Sequence, residues 1–131
     1  MRRLEERVME PRTLVAVIDD DESVRESLPD LLGQLGYATR AFASAEAFLA
    51  SNCVAETQCL ILDVAMPGMS GPELQRELIL GGHMTPIIFI TAQGDKSLRR
   101  GLLQKGAVEC LFKPFSEQDL RAALDTALLR I

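Results

Sequence analysis

At 131 residues, 47% of them hydrophobic, the chain has the length of one ordinary domain and enough apolar material to bury a core without disulfides or a structural metal. Nineteen acids against fourteen bases leave a formal charge of −5, which gives no electrostatic footprint for sequence-independent binding to nucleic acid or to an anionic membrane. Three cysteines, Cys53, Cys59 and Cys110, form an odd set without Cys-x-x-Cys spacing and read as reduced thiols of a cytosolic protein.

Met1 to Arg12 mixes Arg and Glu without a continuous apolar stretch, so it is no secretory signal and reads as an extension before a domain over 13–131, with Met9 as an alternative start. No other segment is apolar for long enough to span a bilayer. Leu14 to Ile18 is the first predicted strand. Val24, Leu28, Leu31, Leu32 and Leu35 then fall at helical spacing before Gly36, predicting a helix over 23–35, with Pro29 as an interior flaw that can kink it. Ala38 to Phe42 reads as a strand and 45–50 as a short helix. Cys59 to Leu62 is a continuous apolar run suited to a strand buried on both faces. A helix over 71–80 is stopped by Gly81 and Gly82, a second buried strand runs from Pro86 to Ile90, and a helix over 97–105 leads to a strand from Val108 to Phe112. Ser116 with Asp119 gives a capping-box signal, after which Leu120, Ala123, Leu124, Ala127 and Leu128 line one face of the last helix. This fivefold alternation predicts an α/β domain with a parallel sheet wrapped by helices.

Ligands of an open parallel sheet bind beyond the carboxyl ends of its strands, and here those positions are polar. The first strand runs into Asp19 and Asp20, the third into Asp63, the fourth into Thr91 and the fifth into Lys113. Three acids brought together repel one another, and a divalent cation with hard oxygen ligands relieves that cost. Mg²⁺ suits such a set, because it takes one or two carboxylates and leaves room for phosphate oxygens. Lys113 and the Thr91 hydroxyl can hold the remaining phosphoryl oxygens, and an ionised Asp63 is already a competent nucleophile. Each residue has a blander reading alone: Asp63 as a turn residue before Met66-Pro67-Gly68, Thr91 as a cap, Lys113 as a surface lysine. Jointly those readings leave the coincidence unexplained. His83, the single histidine, lies in a Gly81-Gly82-His83 loop, so a phosphohistidine donor has to be another protein.

The runs Val17-Ile18-Asp19-Asp20-Asp21, Leu62 to Gly71, Ile90-Thr91-Ala92 and Lys113-Pro114-Phe115 resemble the receiver domains of two-component signalling, over about residues 13–129. Ser44 to Leu49 and Lys113 to Phe115 look most like the FixJ type, whose receivers usually precede a DNA-binding helix-turn-helix. The resemblance implies a flavodoxin-like receiver fold, a five-stranded parallel sheet of order 2-1-3-4-5 with helices on both faces. It implies Asp63 as phosphoacceptor, Asp19, Asp20, Asp63 and the Ala65 carbonyl as Mg²⁺ ligands, Thr91 and Lys113 on the phosphoryl oxygens, and a cis bond between Lys113 and Pro114. It further implies a cytoplasmic signalling switch that catalyses only its own phosphorylation and slow dephosphorylation. The implied partners are a sensor histidine kinase or phosphotransfer protein and a second copy, through the face of the fourth helix, fifth strand and fifth helix. This segment is not expected to touch nucleic acid or membrane.

A phosphohydrolase of haloacid-dehalogenase type would need an acid two residues after the nucleophile, where this chain has Ala65. A pseudo-receiver is disfavoured by the complete set of acids, Thr91 and Lys113. One departure stands out: three residues before Lys113 the family commonly has Tyr or Phe, and here stands Cys110. A stand-alone receiver and the regulatory half of a transcription factor both remain open on the sequence.

Overall fold

The computed structural model describes residues 12–129, so the expected extension lies outside the described residues except for its last residue, and the alternative start at Met9 lies outside them. Five strands, β1 (Leu14–Ile18), β2 (Ala38–Phe42), β3 (Cys59–Asp63), β4 (Ile87–Thr91) and β5 (Glu109–Phe112), pair in parallel in the order β2-β1-β3-β4-β5. The helices between and after them are α1 (Glu22–Gln34), α2 (Ala45–Ala50), α3 (Gly71–Leu80), α4 (Lys96–Gln104) and α5 (Glu117–Leu128). This is the expected α/β sheet with its 2-1-3-4-5 order.

Strand periodicity divides the core in two. Val15, Val17, Cys59, Ile61, Ile88 and Ile90 point to one face, where Leu28 and Leu32 of α1 and Leu120 and Leu124 of α5 cover them. Ala16, Ile18, Leu60, Leu62, Ile87 and Phe89 point to the other, under Phe48 of α2, Leu74 and Leu78 of α3 and Leu102 of α4. All five residues of β3 and all five of β4 are buried, as their unbroken apolar runs predict.

Every helix among the described residues starts on an Asp or Ser whose side chain accepts a first-turn N–H: Asp21, Ser44, Ser70, Asp95 and Ser116. The reciprocal capping box forms at Ser70 and Glu73, not at Ser116 and Asp119, where only the Ser116 half is made. An aspartate is one methylene shorter than the glutamate that closes such a box. Pro29 sits inside an unbroken α1, where it removes one backbone donor while Leu28 and Leu32 keep the helix on the sheet. Gly36 ends α1 as expected, with Tyr37 N–H donating to the Leu32 carbonyl at 3.1 Å.

The loop from β3 to α3 returns tightly to the sheet. Gly71 N–H donates to the Val64 carbonyl at 3.0 Å, and a Cβ on Gly71 would collide with the Asp63 carbonyl oxygen and sit 2.9 Å from the Phe89 ring. Substituting Gly71→Ala should therefore lower stability by about 2 kcal/mol, the usual cost of overpacking against backbone, read as a lower urea midpoint at unchanged slope. An unaltered midpoint would mean that α3 can move away freely.

Candidate functional site

The connections out of β1 and β3 run in opposite directions along the sheet, so a crevice opens between their carboxyl ends. Into it the fold delivers Asp19 from the end of β1 and Asp63 from the last position of β3, both buried, with the exposed Asp20 beside them. One carboxylate oxygen from each of the three lies within 4.8 Å of the others. Hard oxygen donors at that spacing suit a small divalent cation. Ala65 is exposed two residues beyond Asp63, and its carbonyl accepts no hydrogen bond among the described residues.

Lys113 follows β5 and reaches back across the sheet edge. Its Nζ donates to Asp19 Oδ2 at 2.7 Å and stands 3.9 Å from Asp63 Oδ1. The ammonium thus holds Asp19 more closely than Asp63. The Lys113–Pro114 bond is cis, as the resemblance implies. Lys113 N–H donates to the Thr91 carbonyl at 2.8 Å, which ties the two strand ends together. Thr91 is buried, and its Oγ1 accepts the Gln93 N–H at 3.1 Å, leaving the hydroxyl proton free to donate. The structure therefore brings Asp19, Asp20, Asp63 and Lys113 into one cluster, with Thr91 and Ala65 at the ends of the adjoining strands.

Burial, and after it the charge of Asp19, pushes the Asp63 carboxyl up to about 7, against the opposing pull of Lys113; hydrogen bonding to Asp20 and Asp19 adds to the rise. Two hydrogen bonds organise this edge. Arg25 of α1 donates Nη1 to the Asp19 carbonyl at 3.0 Å, and Asp19 Oδ1 accepts the Asp21 N–H at 2.9 Å, so the acidic turn is held on both sides. The sequence does not single out Arg25. Only the spacing of Arg25, four residues after the N-cap Asp21, hints at its return to the turn.

The family model described as response regulator receiver domain matches residues 15–125. The response regulator protein TmoT of Ectopseudomonas mendocina is 41% identical over 116 residues, covering 88% of this chain and 53% of that protein. The transcriptional regulatory protein FixJ of Azorhizobium caulinodans is also 41% identical over 116 residues, with 88% and 55% covered. Among solved structures, the response regulator StyR superposes with a TM-score of 0.83 at 43% identity, covering 91% of this chain and 60% of that one. The FixJ-N crystal structure superposes with 0.81 at 35% identity, covering 93% and 98%. The chain spans about half the length of the relatives TmoT and FixJ.

A carboxyl whose folded pKa lies above its unfolded value binds protons more strongly in the fold, so its favourable contribution is present below about pH 4 and is lost as pH rises through about 7. In EDTA, Asp63→Asn should consequently be more stable than wild type at pH 7.5, by about 2 kcal/mol after allowance for solvent screening, with the gap closing toward pH 4. Urea unfolding of both proteins across that range checks this. A gap independent of pH would show that Asp63 ionises without penalty.

Proposed function

The chain belongs to the response regulator receiver family, a signalling switch of two-component systems, and from that premise we propose that Asp63 accepts a phosphoryl group from the phosphohistidine of a partner protein. The observation that carries this reading is the convergence of the Asp19, Asp20 and Asp63 oxygens within 4.8 Å, with the Lys113 ammonium against them. Receivers of this family work with histidine kinases or phosphotransfer proteins, and this chain's own single histidine, His83, sits in the turn after α3.

In the proposed step one Asp63 carboxylate oxygen attacks phosphorus, the P–N bond to the donor imidazole breaks with its electron pair left on nitrogen, and an acyl phosphate remains. Asp19, Asp20, Asp63 and the Ala65 carbonyl would hold Mg²⁺, which when bound supplies positive charge that lets one anion approach another. Lys113 is placed to exchange its hold on a carboxylate for a phosphoryl oxygen, and the free Thr91 hydroxyl proton can serve another. Turnover as a phosphohydrolase lacks support, since Ala65 offers no proton where a leaving group would need one. The chain thus acts as a switch that catalyses its own phosphorylation and slow dephosphorylation. Its similarity to transcriptional regulatory proteins about twice its length supports service as a regulatory module over 13–131, with any DNA contact made elsewhere. A cytoplasmic setting accords with that role; among the described residues no helix is long and apolar enough to cross a membrane.

Output would pass through the surface of α4, β5 and α5, the face proposed for pairing with a second copy. Cys110 lies on β5 opposite Phe89, fully packed in the core on the α4 side, while Phe112 lies opposite Thr91 and is half-exposed. A small thiol makes little differential contact between two states, so the conformational response there is muted.

Acetyl phosphate with Mg²⁺ should add one phosphoryl group to the protein, and Asp63→Asn should abolish it. Intact mass with and without EDTA reads this directly, and labelling that survives in Asp63→Asn would move the acceptor elsewhere. For the output, beryllofluoride should produce weak dimerisation of wild type and stronger dimerisation of Cys110→Phe, measured by sedimentation. Strong dimerisation of wild type, unchanged by the substitution, would take Cys110 out of the output path.

A further inference from the structure

The loop from β3 to α3 carries Ala65, the one proposed metal ligand that is a backbone atom, and backbone ligands can be placed only by fixing the chain around them. Three attachments fix this loop. Its base closes through the Gly71 N–H to Val64 carbonyl bond, its far end enters the Ser70–Glu73 capping box, and the buried Met66 side chain pins it to the core. The outer turn, Pro67 to Met69, has one further tie. Glu46 of α2 accepts the Met69 N–H on Oε2 at 2.9 Å, a contact spanning 23 residues and joining the loop to a neighbouring helix on the same face of the sheet. Gly68 makes that approach possible: its φ is +75°, and a Cβ there would stand 2.6 Å from the same Glu46 oxygen.

We infer that Glu46 is a positioning residue for the cation site, holding the outer turn through Met69 N–H so that the Ala65 carbonyl is presented in a fixed place. The inference rests on the reading of the acidic cluster as a cation site. The hydrogen bond is charge-assisted, and among the described residues its loss releases the only polar side-chain tie to this loop from an element other than the adjoining α3. Glu46 is exposed and, among the described residues, makes no hydrogen bond or ion pair with the acids or Lys113, so its effect has to be transmitted through the loop.

The test compares wild type, Glu46→Ala, Glu46→Gln and Gly68→Ala. Mg²⁺ affinity is measured by calorimetric titration, and exchange of the Met69 amide by NMR in the metal-free protein. The expected result is about fivefold weaker Mg²⁺ binding and faster Met69 exchange in Glu46→Ala. Near-wild-type values are expected in Glu46→Gln, whose amide oxygen accepts the same bond. Gly68→Ala should follow Glu46→Ala. Labelling by acetyl phosphate should slow in Glu46→Ala at low Mg²⁺ and recover at saturating Mg²⁺, a split that general destabilisation would not produce. Unchanged Mg²⁺ affinity in Glu46→Ala, or a loss in Glu46→Gln as large as in Glu46→Ala, overturns the inference. Failure of the underlying reading is told apart because it appears in the wild type itself, as no Mg²⁺ binding and no label on Asp63.

Discussion

The edge of this sheet depends on a balance between two buried carboxylates and one ammonium. Asp19 and Asp63 are driven together by the pairing of β1 with β3, a pairing that the apolar runs of both strands enforce. Hydrophobic burial therefore creates an electrostatic cost, and Lys113 offsets part of it by binding Asp19. Burial, and then the charge of Asp19, still push the Asp63 carboxyl up to about 7. The cluster is thus left under-neutralised, which is the condition for a site that gains when positive charge arrives.

Around that balance the rest of the molecule supplies position. Asp63 is the last residue of β3 and Asp19 and Asp20 directly follow β1, while the turns that continue from these strands are tied down by Arg25, Glu46 and the Ser70–Glu73 box. Gly71 lets α3 begin against the Asp63 backbone, so the proposed acceptor is braced from behind. At β5 the tie comes from Arg99 of α4, whose Nε donates to the Cys110 carbonyl at 3.3 Å and whose guanidinium pairs with Glu109. There Cys110 fills a core position and leaves the half-exposed Phe112 as the aromatic side chain facing α4.

The fold was legible because the two doubly buried strands, β3 and β4, announce themselves as unbroken apolar runs, and because Gly36 marks the end of α1. Strand limits differ by one residue: β3 and β4 run on to Asp63 and Thr91, β5 starts at Glu109 instead of Val108, and β4 starts after Pro86, which accepts from Leu60 but has no N–H to give the sheet. Asp19, Asp20, Asp63, Thr91 and Lys113 could be picked out because chemistry in a parallel sheet collects at strand ends, and that rule needs no coordinates. Glu46 and Gly71 lie within the runs that carry the family resemblance, but what they do was not legible there. Their roles arise from contacts between elements whose approach depends on the packing of α2 and α3, and a surface glutamate or a helix-start glycine has no local signature of such a role. Nor does the sequence show that Lys113 would favour Asp19 over Asp63, since that is decided by a fraction of a side chain's length.

The ion pair between Lys113 and Asp19 joins residues 94 apart in sequence. During synthesis the acids leave the ribosome long before their counter-charge, and an incomplete chain that lacks β5 carries Asp19, Asp20 and Asp63 with no ammonium among them. The electrostatic balance of the centre is therefore reached only when nearly the whole domain exists. A nascent or truncated chain holds every carboxylate of the site yet is poorly equipped to take up the signal, which ties responsiveness to completed folding.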